Sequence, residues 1–300
     1  YLKLRDLGYE VIDLKSLKEE VNLPVANARV FERIQTWDLV RQADVIISVP
    51  KLKTHDQTEM TCSIKKLKGL LTDKAKRAMH QEGLFDGVID LLSVLKPKLA
   101  VVDAIICQEG IGPIFGKPVE MDLILAGKDL VAVDAVCARL IGYEPSETRL
   151  TVNAAARGIG VMDPEQIEVR GEPLEQVQRR FLRAVVDNPV AVEDFHLILG
   201  EAACTGFRST VMRALVDMSN ADQLIYLPGV TVVTGGAPLP EGVPRENIVT
   251  VGKCMPKESR TGRHVKGCPP NNALVVDAII GGRAEVKRMY SEESLDKTEV

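Results

Sequence analysis

Short apolar runs alternate with stretches of helical period along most of this chain. That alternation restricts it to βα-type folds before any residue is given a role. Val45 to Val49, Leu99 to Val102 and Leu123 to Leu125 are expected as strands. Gly83 to Leu95 sets Leu84, Val88, Leu91, Leu92 and Leu95 at helical spacing, and Asp129 to Ile141 does the same with Val131, Val133, Val136 and Leu140 before a stop at Gly142. Thr151 to Arg157 is an alanine-rich helix ending at Gly158, and Ile167 to Val169 a further short strand. A second pattern starts at Phe195, with strands at Phe195 to Leu199, Val230 to Val233 and Ile248 to Val251, and helices at Thr210 to Met218 and Asn272 to Ile280.

The fold class expected is α/β, with mainly parallel sheets and flanking helices in two domains, the second flavodoxin-like. Residues 1–170 form the first domain, 171–194 a charged linker opening at Gly171-Glu172-Pro173, 195–282 the second domain and 283–300 a charged tail. Two domains suit a length of 300 residues, more than one core usually serves. Tyr1 to Leu14 has the pattern of a helix end followed by a strand, so further residues are expected upstream. No apolar run approaches the roughly 20 residues of a membrane helix, and a net charge of −4 argues against a nucleic-acid partner. Six cysteines are too few for a disulfide framework in a chain this long, which points to a reducing, cytoplasmic setting.

Val45 to Pro50 has the composition of a buried strand that delivers a basic loop, Lys51-Leu52-Lys53-Thr54-His55, at its end. Between Lys51 and Arg77 eight basic residues face three acidic ones, Asp56, Glu59 and Asp73. Such an excess in an acidic chain attracts a small anionic ligand, and in open α/β sheets ligands sit beyond the carboxyl ends of strands. Lys51, Lys53, Thr54 and Lys66 are therefore candidate ligand-binding residues, and His55 a candidate proton carrier. Lys65 to Arg77 reads equally as a solvated helix face. After the strand at Leu99, the loop Asp103 to Gly116 sets Gly110, Gly112 and Gly116 around Pro113, leaving amides free to approach a ligand. Asp103 and Glu109 are candidate acid–base or divalent-metal carboxylates, or simply turn caps. Cys62, Cys107 and Cys137 lack partners at metal-ligand spacing and fit the core, and Asp134 suits helix electrostatics.

These segments resemble the DUF362 family, uncharacterised proteins often associated with iron–sulfur clusters. The resemblance rests on Lys51 to His55, Thr61 to Gly69, His80 with Asp90-Leu91, Val102-Asp103, Glu109 to Pro113 with Gly116, Asp129, Ala132 to Ala135, and Gly158 to Gly160, over roughly residues 40–162.

Downstream, Cys204, Cys254 and Cys268 all fall at strand ends or beside a helix start, where they can converge on one sheet edge. Three soft sulfur ligands favour an iron–sulfur cluster or zinc. Residues 195–280, through Gly267-Cys268-Pro269-Pro270, are also similar to the cluster-bearing domain of hydrogenase small subunits and the related respiratory complex I subunit. Cys204-Thr205-Gly206-Phe207 departs from that pattern, with Phe207 where a second cysteine would complete a CxxC. A cluster on three cysteines then needs a three-iron form, an exogenous ligand, or a side chain such as His264 in its basic loop; His196 fits a strand interior. Three functions follow: an iron–sulfur redox or electron-transfer protein with a redox partner and an anionic-ligand pocket; a non-redox enzyme or binding protein for a phosphorylated or carboxylated ligand with vestigial cysteines; or a carrier of a cluster or metal.

Overall fold

The computed structural model describes residues 2–110, 112–113, 116–184, 192–203, 205–260 and 263–283. Cys204, part of the expected linker and nearly all of the expected tail lie outside the described residues. The chain runs from a short helix α1 (Leu2–Asp6) into an antiparallel ladder of β1 (Glu20–Pro24) and β2 (Arg33–Trp37), then helix α2 (Asp38–Gln42). The first large sheet contains β3 (Ile47–Ser48), β4 (Lys51–His55), β5 (Glu59–Thr61), β6 (Leu99–Glu109) and β7 (Lys117–Gly127). Helices α3 (Ser63–Lys66), α4 (Asp73–Glu82), α5 (Leu84–Leu95), α6 (Leu130–Leu140), α7 (Arg149–Ala156) and α8 (Leu174–Val177) complete this half.

This sheet is mixed, not mainly parallel. β3 and β4 lie one after the other along β6, with Ile47 opposite Leu99 and Lys51 opposite Asp103. Pro50 breaks the run between them because it has no amide to donate, while its carbonyl accepts from Asp103 N at 2.8 Å. β5 and β7 are antiparallel to β4 and β6. The glycine-rich stretch after Glu109 therefore closes a hairpin, where the sequence suggested a ligand loop between strands.

Two further expectations are corrected here. Val45, Ile47 and Val49 stand 57%, 51% and 57% exposed, so the expected buried strand is a two-residue piece with one uncovered face. Lys51 to His55, expected as a loop, is strand β4, with Leu52 and Thr54 fully buried. An unbroken aliphatic run suggests burial on both faces. The sheet is covered on one, where Leu52, Ala100 and Val102 meet the buried residues of α3, α5 and α6. Ile167 to Val169 forms no strand.

The second sheet holds β8 (His196–Leu199), β9 (Thr231–Thr234), β10 (Ile248–Val251) and β11 (Arg263–Val265), all parallel and in the order of the sequence. A flavodoxin-like sheet reverses strand order at a switch point, and no reversal occurs among the described strands. Helices α9 (Thr205–Asn220) and α10 (Asn272–Ile280) supply Val211, Leu215, Val276 and Ile279 to a core shared with Val232, Val249 and Val265. Asn271 caps α10 by accepting from Ala273 N at 2.9 Å, and Gly281 ends it in the left-handed region. The buried apolar residues form one large cluster within 25–181, a second within 195–280 and a small third one of Val233, Ala237, Ile248 and Met255. Leu174 and Phe181, in the expected linker, belong to the first.

Candidate functional site

Strand β4 alternates, and its side chains divide accordingly. Lys51 Nζ lies 2.8 Å from Asp103 Oδ2 and donates to Ile106 O at 3.0 Å; this contact holds the Asp103 carboxyl below its usual range. Thr54 Oγ1 donates to Gly110 O at 2.7 Å, and Asp56 N to Gly112 O at 3.0 Å. A Cβ at Gly112 would stand 1.9 Å from Thr54 O, so only glycine permits this approach. Glu109 Oε2 accepts from Leu182 N at 2.9 Å, and Gly110 N donates to Leu182 O at 2.7 Å. Lys53 Nζ donates to Pro113 O at 3.3 Å, its pKa lowered by burial and then by Lys66 and Lys51, while Lys66 itself is exposed. The strand and the hairpin turn that were expected to face each other across a ligand are therefore in direct contact. Ile111, Ile114 and Phe115 of that turn lie outside the described residues.

His55 ends β4 and is 6% exposed. Its Nδ1 accepts from Gln57 N at 3.0 Å and lies 2.9 Å from Asp56 Oδ1; burial, followed by Lys65, pushes its pKa down to about 4, so the ring is neutral at pH 7. Beyond it stand three more basic groups: Lys65 and Lys68, which the sequence read equally as part of an anion site or of a solvated helix face, and His80, singled out only through the family resemblance. Burial lowers Lys65 to about 8. Burial and then Lys65 lower Lys68, in the turn after α3, to about 7. His80, in the last turn of α4, is pushed down to about 3 by burial and then Lys68. Lys68 Nζ touches His80 Nε2, and His80 Nδ1 is buried without a hydrogen-bond partner. These lysines turn inward because α3 and the turn after it drive Ile64, Leu67 and Leu71 into the core. A helix too short to show a period hid that orientation from sequence reasoning.

The cysteine edge meets this group. Cys268 N donates to His80 O at 2.9 Å, and Leu84 N donates to Cys268 O at 2.9 Å. Gln57 Nε2 donates to Thr210 Oγ1 at 2.8 Å and to Pro270 O at 3.1 Å, and Lys253 pairs with Glu82. Cys254 follows β10 and Cys268 follows β11, its parallel neighbour. Phe207 is a packing residue, since a Cβ at Gly252 would meet its ring at 2.1 Å. His264 sits on β11, not in a loop, with Nδ1 3.1 Å from Thr250 Oγ1. His196, expected inside a strand, is the first residue of β8, with its side chain 64% exposed. Cys62, Cys107 and Cys137 are buried as expected of core residues. Among the described residues no group of three His, Cys, Asp or Glu side chains is placed to hold a metal, so Cys254 and Cys268 alone do not make up a cluster's ligand set.

Between the two sheets lies a cleft of about 610 Å³. His55, Glu59, Glu147, Arg149 and Arg183 line it from one side, and Ala203, Arg208 and Ser209 from the other. Arg183 pairs with Glu147, Nη2 to Oε2 at 2.9 Å, and stacks on Tyr143 at 4.4 Å. Arg149 stacks on Phe85 at 4.4 Å while its amide donates to Glu59 Oε2 at 3.3 Å. Neither Arg149 nor Arg208 forms an ion pair among the described residues. The cleft thus presents two guanidinium groups outside any ion pair among the described residues, one from each half, beside a neutral histidine and the Glu59 carboxylate. Sequence reasoning missed all three arginines, which are far apart in the chain and belong to no local motif.

Residues 3–139 match the family model described as a domain of unknown function, DUF362, so the chain carries an N-terminal DUF362 domain. The match begins well before residue 40, where the motifs of the resemblance start. The chain is also similar to a thylakoid-associated protein of Synechocystis sp., 34% identical over 122 residues. That similarity covers 39% of this chain and 38% of the relative's length. No solved structure matches the chain. No helix among the described residues is long and apolar enough to cross a membrane.

Proposed function

We propose that the chain binds a small anionic ligand, phosphorylated or carboxylated, in the cleft between its two sheets. The observation that carries this reading is the pair Arg149 on α7 and Arg208 on α9, contributed by different halves to one cleft and forming no ion pair among the described residues. A guanidinium in a partly enclosed site binds carboxylate or phosphate through two parallel donors. Of the residues singled out from sequence, His55 meets the ligand, as a hydrogen-bonding group or as a base in its neutral form. Lys53 and Lys66 add positive potential at the rim. Thr54 ties β4, which carries His55, to the turn at Gly110 and Gly112, and Lys51, Asp103 and Glu109 brace that strand and turn. The test is a thermal-shift screen of phosphates, nucleotides and carboxylates, followed by titration of the hits. Arg208→Gln is expected to weaken binding about tenfold or more, since a charge-assisted hydrogen bond contributes ~1.5–3 kcal/mol. Absence of any stabilising anion would refute the reading.

A second reading is favoured by the backbone bonds between Cys268 and His80 and Leu84, which set the thiol edge against the same junction. In it Cys204, Cys254 and Cys268 hold an iron–sulfur centre, resident or carried, that would supply one-electron transfer to a redox partner. Anaerobic purification with iron and sulfide analysis and an absorption spectrum tests it. No iron after reconstitution counts against it.

A further inference from the structure

Where α5 ends, β6 begins and β7 turns into α6, three lysines gather: Lys96, Lys98 and Lys128. They line a cavity of about 770 Å³ that shares no lining residue with the arginine cleft. All three are exposed, and none forms an ion pair among the described residues. Asp129 is the carboxylate of this cavity, and it is engaged elsewhere. Its Oδ1 accepts from Val131 N at 2.8 Å and Ala132 N at 3.1 Å, and its Oδ2 from Val161 N at 2.9 Å. A Cβ at Gly160 would stand 2.2 Å from Asp129 Oδ1, so the chain closes over this carboxylate and holds it toward α6. Like charges gathered without a free counter-charge repel, and an entering anion relieves the repulsion. Lys96 stands in the left-handed region, φ 43° and ψ 56°, at the C-cap of α5, where α10 uses Gly281. Glycine takes that conformation without steric cost and lysine does not, which points to a gain made by the lysine side chain.

We infer that this cavity is a second anion site and that it takes an organic phosphate. The phosphoryl group sits among Lys96, Lys98 and Lys128. An apolar body lies against Pro24, Ala26, Val94 and Ile159, the apolar surface that the cavity leaves open. Ammonium groups act on phosphate as point charges and need no fixed fork, and three of them suit a dianion with three free oxygens. The volume lies within the range of small-molecule sites. This site goes beyond the cleft reading and does not depend on it.

The experiment is calorimetric titration of the full chain with octyl phosphate below its micelle concentration, set beside inorganic phosphate and octanol. Octyl phosphate is expected to bind at least tenfold more tightly than either part alone. The double variant Lys98→Gln/Lys128→Gln should lose at least tenfold in affinity, since each charge-assisted contact removed is of that order. Lys96→Gly should lose about tenfold while its thermal midpoint stays level or rises, an outcome that a merely structural lysine would not give. Arg208→Gln should bind octyl phosphate as the parent does. Flotation with phosphatidylcholine vesicles, with and without phosphatidic acid, separates the two sources of this chemistry. Binding to phosphatidic acid that the lysine variants lose assigns a lipid headgroup, and binding of octyl phosphate without it a soluble ester. No binding of octyl phosphate by the folded protein, affinity unchanged in the lysine variants, or affinity lost with Arg208→Gln alone overturns the site. The cleft reading stands or falls separately, on the effect of Arg208→Gln on its own anions.

Discussion

Asp90 is fully buried, and its carboxylate accepts from the amides of Arg29, Val30 and Phe31, with Val30 N at 2.9 Å, and from Arg157 Nη1 at 2.7 Å. Burial alone would raise its pKa, but the amides and the guanidinium outweigh it and hold it below the usual carboxylate range. Asp90→Ala leaves a buried arginine and three amides unpaired, so a loss of about 3–5 kcal/mol is expected in urea denaturation. Asp134 works across elements in a similar way. It lies on α6 but accepts from Ser63 N at 2.8 Å and Ile64 N at 3.2 Å, so it satisfies the first turn of α3 and not its own helix. Burial pushes its carboxyl up to about 6. The depressed lysines set a pH dependence of the same sign as that of a paired carboxylate, displaced from the acid range to neutral and alkaline pH. Lys65 and Lys68 titrate near 8 and 7 when folded but near ~10.4 when unfolded, so between those values the unfolded chain holds more protons. Thermal stability of the ligand-free protein is expected to rise from pH 7 to pH 9. A flat or falling midpoint would mean that the two ammonium groups are not held in a desolvated site.

At the scale of elements, the contact of β4 with the turn between β6 and β7 depends on one missing side chain. Gly112→Ala places a Cβ against the Thr54 carbonyl, and either the turn or the strand must move. A cost of ~1–3 kcal/mol is expected from overpacking. Because Asp56 N donates to Gly112 O in this turn, the variant should also increase hydrogen exchange at Asp56. Exchange and stability both unchanged would show that the turn is held elsewhere. Proline and glycine mark this region in the sequence, which made a turn legible between Glu109 and Lys117. That the turn would close a hairpin onto β4 was not, because register is set by pairing over the full length of β6 and β7.

At the scale of the whole molecule, Gln57 is a buried polar link between the two halves. Its side chain bonds Thr210 and Pro270 from the other half, while Cys268 is tied by backbone to His80 and Leu84. Gln57→Ala removes two buried hydrogen bonds, a loss of ~1–3 kcal/mol. Calorimetry is expected to show the residues of the second sheet melting before those of the first. A single transition at the parent temperature would place the coupling between halves in other contacts. The cleft borders this junction, so the variant should also weaken anion binding without touching a charged residue.

Several features were decided by sequence alone. The helices at 84–95, 130–140 and 272–280 follow from apolar spacing with a glycine or an Asx residue at an end, which are local rules. The strands at 231–234 and 248–251 follow from β-branched runs, and the cysteines after β10 and β11 from what succeeds those runs. Tertiary structure decided the rest, because charge and burial depend on neighbours distant in the chain. Lys65 and Lys68 belong to a basic run that composition places in solvent, and only the packing of Ile64, Leu67 and Leu71 turns them inward to meet His80. Arg149, Arg183 and Arg208 share a cleft only because the two halves of the chain meet there. A side chain's ionic partners are a property of three-dimensional proximity, which no period along the chain encodes.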